Sequence, residues 1–119
     1  MRTENTLVNT GSASAPGAGA DVAQIADVPS GIYEVEVIIA LTGTAETSLR
    51  NLRLREGGRT IADNLPTLSG LGGPIHIKLP RVEVNPDAAD DLVDLDVIAI
   101  AAATAGAVYN VVILATRIG

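Results

Sequence analysis

His76 is the single histidine of this chain, so any Ser-His-Asp triad would have to use it. It lies between Ile75 and Ile77, and no Gly-x-Ser-x-Gly motif supplies a nucleophile. We expect it to be a solvent-facing histidine of a strand. Glu34 and Glu36 could act as paired carboxylates in glycoside hydrolysis, but two acids on one strand face without aromatic sugar platforms are typical of surface charge. The sequence therefore predicts no catalytic residue and a protein that is not an enzyme.

An acidic run is the second candidate for chemistry, because carboxylate oxygens are the ligands that Ca²⁺ prefers. The segment "DAADDLVDLD" contains five aspartates: Asp87, Asp90, Asp91, Asp94 and Asp96. It lacks the Asp-x-Asp-x-Asp-Gly loop and its bidentate glutamate, which favours a solvated acidic loop. The chain has no cysteine, and "SGLGGP" lacks the Lys-Ser/Thr of a phosphate-binding loop. We therefore expect no metal and no cofactor.

One local basic cluster consists of four arginines: Arg50, Arg53, Arg55 and Arg59. They could dock on an acidic partner, or pair across strands with three glutamates: Glu34, Glu36 and Glu83. Pairing within the protein or between subunits is slightly favoured. Overall, the chain has 8 basic and 14 acidic residues, which gives a formal charge of −6. Neither nucleic acid nor an anionic membrane is therefore an expected partner.

The elements that position these residues read as strands. The 119 residues suit one domain, and only 2% of them are aromatic, so we expect a core of aliphatic side chains. From Ala20 onward, short apolar runs alternate with period two between turn signals. In "GIYEVEVIIALTG", one face carries five apolar residues: Tyr33, Val35, Val37, Ile39 and Leu41. About eight such strands, including a weak one in "DVAQIADV", predict an all-β fold, a single jelly-roll-like β-sandwich.

Two segments refine this expectation. "RNLRLREGG" turns Leu52 and Leu54 inward and leaves Asn51 outside with Arg53 and Arg55, before a tight turn at the two glycines. "GGPIHIKLP" and "RVEV" read as two strands, because proline withdraws a backbone donor from a ladder. A helix over residues 86–106 is the alternative for the Ala-rich segment, but its apolar and acidic residues alternate, which favours a strand.

Three strands carry apolar residues on both faces, although one face of a sandwich strand meets water. Six side chains stand on these outer faces: Ile38, Ala40, Ile98, Ile100, Val112 and Leu114. A contiguous exposed apolar patch would favour aggregation, so we expect these residues to form an interface between copies of the chain. Cover by the N-terminal segment or by long loops of the same chain is the alternative.

The first 20 residues differ from the rest. "GSASAPGAGA" cannot bury enough side-chain surface to offset the entropy of ordering it, so we expect residues 1–20 to form an extended N-terminal arm and residues 21–119 the sandwich. Three residues of the arm could anchor it on a partner: Arg2, Leu7 and Val8. No signal peptide and no apolar run of membrane-spanning length is evident, so synthesis in the cytoplasm is expected.

The runs "GIYEVEVIIALTGTAETSLRNLRLREGGRTIADNLP" and "ATAGAVYNVVILATRIG" resemble the small β-sandwich proteins that decorate or cement the capsids of tailed bacteriophages. The residues that carry this resemblance are Tyr33, Gly43, Thr44, Ala45, Asn51, Leu54 and Tyr109. It implies a non-enzymatic virion structural protein, a homotrimer on the outer surface of the phage head that binds the major capsid protein through its arm and stabilises the shell. The alternative is a tail fibre or spike domain that binds a carbohydrate or a receptor.

Overall fold

The computed structural model describes residues 6–47, 50–67, 72–84 and 92–119. These residues contain eight strands and no helix: β1 Thr6–Ser14, β2 Asp21–Val28, β3 Gly31–Gly43, β4 Leu52–Glu56, β5 Arg59–Leu65, β6 Gly72–Val84, β7 Val93–Ala99 and β8 Ala107–Arg117. The predicted all-β sandwich is confirmed. The described part of the chain accordingly offers no helix that could cross a membrane.

The strands form two four-stranded antiparallel sheets. Sheet A has the order β1-β8-β3-β6, and sheet B has the order β2-β7-β4-β5. The pairings β1 with β8, β2 with β7, β3 with β6 and β4 with β5 are nested in the sequence. This connectivity is that of one long hairpin rolled into a sandwich, so the two ends of the chain meet in sheet A.

The core between the sheets is aliphatic, as the composition predicts. The inward face of β3 is buried at all five predicted positions, and that of β8 at Tyr109, Val111 and Ile113. Both tyrosines of the chain are 1% exposed. Tyr33 donates a hydrogen bond of 2.9 Å to the carbonyl oxygen of Pro29, four residues upstream, which satisfies its buried hydroxyl group. Burial raises the pKa of Tyr33.

The predicted hairpin between β4 and β5 is confirmed. Gly57 and Gly58 have φ angles of 58° and 87°, a left-handed conformation that glycine adopts without a side-chain clash. Leu52 and Leu54 are fully buried, as expected from their alternation with arginines. Asn51 was expected outside and is instead 2% exposed, because it caps the loop after β7 from within.

The structure differs from the sequence-based strand assignment in two elements. The two strands expected on either side of Pro80 are one strand, β6. Leu79 pairs with Val35 and Val82 pairs with Tyr33, so β6 has one extra residue that forms a bulge at Pro80. A bulge accommodates proline because the extra residue need not donate to the ladder.

The second difference is in the N-terminal segment. Residues 6–14, part of the predicted arm, form β1 at the edge of sheet A and pair with β8 over nine residues. β1 also approaches β2 closely: a Cβ atom at Gly11 would lie 1.9 Å from the carbonyl oxygen of Val22. The separation of the chain into an arm of residues 1–20 and a sandwich of residues 21–119 stays a prediction.

Candidate assembly surface

The outer face of sheet A is apolar at its centre. β3 and β8 lie side by side there, so Ile38 stands opposite Val112 in register, and both are partly exposed. Ala40 and Leu114 extend this surface along the same two strands. Four of the six residues predicted to form an interface therefore share one face. Their role in an interface stays a prediction.

The other two predicted interface residues do not join this face. Ile98 belongs to β7, which pairs with β2 and β4 in sheet B, and its register partners are Asp21 and Arg53. It is only 4% exposed. Ile100 follows the end of β7, where its backbone nitrogen donates to the carbonyl oxygen of Asn51 at 2.9 Å. The expectation that all three outer faces lie together fails, because nested pairing sends β7 to the opposite sheet.

The N-terminal strand continues the apolar surface. Val8 stands opposite Leu114 in register and is 54% exposed, whereas Leu7 turns inward and packs against the core. Arg2, the third predicted anchor of the arm, lies outside the described residues. β1 thus widens the face of sheet A instead of covering it.

A shallow hollow of about 330 Å³ lies on this surface, with Val111 at its floor. Its lining comes from three adjacent strands, β1, β8 and β3: Thr10, Gly11, Ser12, Ile38, Ala40, Asn110, Val111 and Val112. The hollow lies beside Ala40, whose side chain is much smaller than that of Ile38, while Gly11 contributes only backbone because its Cβ position points toward Val22 of β2. We name the outer face of sheet A, from Val8 to Ala40, the apolar face.

One edge of the apolar face is charged. His76 lies on β6 opposite Ile38, and its Nδ1 atom is 2.8 Å from the Oε2 atom of Glu36. Lys78 stands opposite Glu36 in register. The prediction of a solvent-facing histidine is confirmed, since 55% of the His76 side chain is exposed. The charges therefore border Ile38 and Val112, and at one end they reach Leu114, which stands opposite Glu36 in register.

The outer face of sheet B has the opposite character. Arg55 donates to both carboxylate oxygens of Asp96, at 3.1 and 2.7 Å, and lies 3.9 Å from Asp21. The hydrogen bond to Asp96 raises the pKa of Arg55, while burial, followed by the proximity of Asp96, raises that of Asp21. Arg53 donates to both carboxylate oxygens of Asp63 and lowers the pKa of this carboxyl group. Ion pairs cover this face, which therefore suits contact with water.

The arginine cluster is paired within the chain, but with partners other than the three expected glutamates. Arg59 binds Glu56 at 2.8 Å and donates to the backbone carbonyl oxygen of Glu83. Arg50 reaches the carbonyl oxygen of Asn64 at 3.5 Å. The expected side-chain partners were wrong because β4 lies between β7 and β5 in sheet B, where Arg55 meets Asp96 and Arg53 meets Asp63, whereas Glu34 and Glu36 belong to sheet A.

A buried polar cluster at one end of the sandwich had no signal in the sequence. Its members come from two loops, the end of β5 and β8: Glu46, Asn51, Thr67, Thr104 and Tyr109. Glu46 is 1% exposed and accepts hydrogen bonds from the hydroxyl groups of Tyr109 and Thr104. Asn51 donates to the Tyr109 hydroxyl oxygen at 3.0 Å and to the carbonyl oxygen of Ala101 at 2.9 Å.

This cluster has a structural role, since it ties the loop before β4 to the loop before β8. Burial, and next the hydrogen bond to Glu46, raises the pKa of Tyr109 to about 12. A glutamate in "GTAETS" reads as a surface residue, so only the assembled fold brings Glu46 under the two loops. Each of its hydrogen bonds to Tyr109 and Thr104 spans more than 50 residues of sequence.

The described residues hold no group of three or more histidine, aspartate or glutamate side chains arranged to bind a metal ion. Three of the five aspartates in the acidic run, Asp87, Asp90 and Asp91, lie outside the described residues. Asp94 and Asp96 lie in β7 on the outer face of sheet B.

No protein-family model and no curated protein matches the chain. Among solved structures, the chain is similar to the PRD1 vertex protein P5, with a TM-score of 0.49 and 17% sequence identity. The alignment covers 99% of this chain and 100% of the other. A likeness of this size assigns neither a family nor a function to the chain.

Proposed function

We propose that this chain is a non-enzymatic structural protein of a phage virion, a capsid decoration or cement protein on the outer surface of the head. The observation that carries the proposal is the contrast between the two outer faces: one is apolar and unpaired in the single chain, the other is covered by ion pairs. Such a protein is built to associate through one side and to meet water on the other. The decoration class comes from the resemblance of the two sequence runs named above.

The assembly that we propose is a homotrimer of jelly rolls. The nested strand pairing supports the jelly roll, which is an eight-stranded double sheet. A face that is apolar only at its centre, with Glu36, His76 and Lys78 along one edge, resembles the core and rim of a protein interface. Oligomerisation would also stabilise a chain of only 119 residues.

The N-terminal segment is our candidate for the contact with the major capsid protein. Leu7 packs against the core of its own sandwich, so we propose Arg2 and the other residues before β1 as the anchor. Many copies bound to a symmetric shell make a weak single contact effective through avidity. The stabilisation of the head would follow from each trimer bridging neighbouring capsid subunits.

The burial of the tyrosines argues against the alternative function, a fibre or spike domain that binds a carbohydrate. The chain has no phenylalanine or tryptophan, and both of its tyrosines are buried. A sugar ring therefore finds no exposed Tyr, Phe or Trp side chain to stack on.

Light scattering of the purified chain tests the oligomer. We expect three times the chain mass of 12.1 kDa. Leu114→Asp should yield the monomer, because a charge in an apolar interface is costly to bury. Leu92→Asp is the matched control, since Leu92 is 54% exposed and lies outside sheet A. A wild-type monomer would contradict the trimer.

Binding to phage capsids assembled without this protein tests the decoration role. We expect the chain to sediment with such capsids and to raise the temperature at which they open. Deleting residues 1–5 keeps β1 intact and should abolish attachment while leaving the trimer. Full attachment of the truncated chain would show that the anchor lies elsewhere, and no attachment of the intact chain would refute the decoration role.

A further inference from the structure

The apolar face carries large aliphatic side chains at one end and the hollow at the other. Three rows cross β1, β8 and β3 in register: Val8 with Leu114 and Glu36, then Thr10 with Val112 and Ile38, then Ser12 with Asn110 and Ala40. The first row projects Val8 and Leu114 beside Glu36, and the hollow lies along the last two rows, where Ala40 is the smallest outward side chain. Four residues along a strand separate the two ends, roughly 13 Å. The face thus offers a projection and a recess of matching apolar chemistry.

The size of the face suits a contact between folded copies. Four strands, the outermost of nine residues, span roughly 20 by 30 Å, on the order of 600 Å². A stable interface buries about 800 Å² on each side, so burial of this face plus its rim reaches the required range. A smaller ligand would leave most of the apolar surface in water.

Charge also favours a second copy as the occupant. Two copies with a formal charge of −6 each repel one another over most of their surfaces. The centre of the apolar face has no charged side chain, and at its edge Glu36 has His76 within 2.8 Å and Lys78 opposite in register. Glu34, the other carboxylate of this face, stands further along β3, opposite Thr116. Two acidic copies that approach around Ile38 and Val112 therefore bring uncharged side chains together at the centre of the contact.

We propose that the hollow of one copy receives Val8 and Leu114 of a second copy. The inference rests on the self-association in the proposed function, and it adds which residues meet. It also gives Val8 a different role. The sequence predicted Val8 as an anchor of the arm on a partner, and here its side chain belongs to the contact between subunits. Because the projection and the recess lie on one face, two opposed copies can each fill the hollow of the other, which buries the whole face; a copy that gives to one neighbour and receives from another closes a ring where the rotation between neighbours is three-fold.

Two single variants remove the two halves of this contact. Val8→Asp places a charge on the projection, and Ala40→Arg fills the recess. Both side chains point away from the core, so far-UV circular dichroism and the melting curve should report an unchanged fold. We expect each variant to raise the dissociation constant of self-association at least about tenfold, the effect of losing one buried aliphatic contact.

Two matched controls lie outside the apolar face. Leu92→Asp alters a side chain that is as exposed as Val8, both being 54% exposed. Ala26→Arg introduces the same bulk on β2 of the other sheet, at an exposed alanine. Sedimentation velocity should give both controls the wild-type mass.

Mixing the two variants gives the decisive result. The Val8→Asp copy retains an intact hollow, and the Ala40→Arg copy retains an intact projection. One working contact is therefore possible between unlike copies and none between like copies. We expect dimers in the equimolar mixture, while each variant alone is a monomer at the same concentration. A mixture that stays monomeric at the highest concentrations, or single variants with wild-type mass, would overturn the proposal.

Capsid sedimentation separates this inference from the proposed function. If Val8→Asp keeps the wild-type mass but loses capsid binding, the face is occupied by the capsid protein and the inference is wrong. If the variants dissociate and the mixture recovers, but no form binds capsids, the contact stands and the decoration role fails.

Discussion

Replacing Tyr109 by phenylalanine removes a single oxygen from the buried polar cluster and leaves the ring in place. That hydroxyl group donates to the Glu46 carboxyl group and accepts from the Asn51 side-chain amide. Glu46 and Asn51 are 1% and 2% exposed, so water cannot easily replace the lost partner. We therefore expect Tyr109→Phe to destabilise the fold strongly without changing its shape.

The magnitude follows from the hydrogen bonds to Glu46 and Asn51, to which Thr67 adds a third. A hydrogen bond to a charged group contributes about 1.5–3 kcal/mol and one between neutral groups about 1 kcal/mol, so the free energy of unfolding should fall by about 3 kcal/mol. Tyr33→Phe is the matched control. Tyr33 is equally buried, but its hydroxyl group makes a single bond, to the Pro29 carbonyl oxygen, so a loss of about 1 kcal/mol is expected.

Urea denaturation of the two variants measures the difference. Their m-values should equal that of the wild type, because both replacements leave the buried surface unchanged. The melting temperature of Tyr109→Phe should fall by roughly 10 °C. A loss for Tyr109→Phe no larger than that for Tyr33→Phe would refute the assignment of the cluster as a structural tie between the two loops.

The pKa of Tyr109 adds a pH signature. Its value of about 12 in the folded chain lies above the ordinary value of 10, so the folded state holds this proton more tightly than the unfolded state. The resulting stability is complete below pH 10 and is lost as the pH rises from 10 to 12. The stability difference between the wild type and Tyr109→Phe should therefore shrink across that window. A constant difference up to pH 12 would contradict the raised pKa.

Three further replacements test other parts of the fold. In Gly11→Val the new Cβ atom meets the backbone of β2. The free energy of unfolding in urea should therefore fall by about 1–3 kcal/mol, and hydrogen exchange in β1 should become faster. Unchanged exchange would contradict this close approach. Arg55→Met leaves Asp96 without its bidentate partner and should lower the free energy of unfolding by about 2 kcal/mol. This loss is smaller than for a fully buried pair because 30% of the arginine side chain is exposed. A change below about 0.5 kcal/mol would argue against the pair. Arg53→Ala should raise the pKa of Asp63 toward its usual value in an NMR titration, since the hydrogen bond from Arg53 lowers it; an unmoved pKa would mean that another group is responsible.

The local pattern of the sequence predicts the strands and their two faces. Alternation in β3 assigns the side chains that fill the core, and the two glycines assign the hairpin after β4, because both features depend on neighbouring residues only. The apolar outer positions of β3 and β8 are also evident from the sequence. Their function as a surface for self-association was a hypothesis at that stage and is a proposal now.

The sheet to which each strand belongs is decided only by the tertiary structure. β3 and β7 both change from acidic to apolar along their outer faces, yet nested pairing sends β3 beside β8 and β7 beside β4. Ile38 therefore lies on the apolar face, while Ile98 lies between charged neighbours in sheet B. The N-terminal strand follows the same rule, since its nine register partners lie about a hundred residues away. Its own composition predicts a flexible arm, and only the edge of β8 gives its backbone a ladder to join.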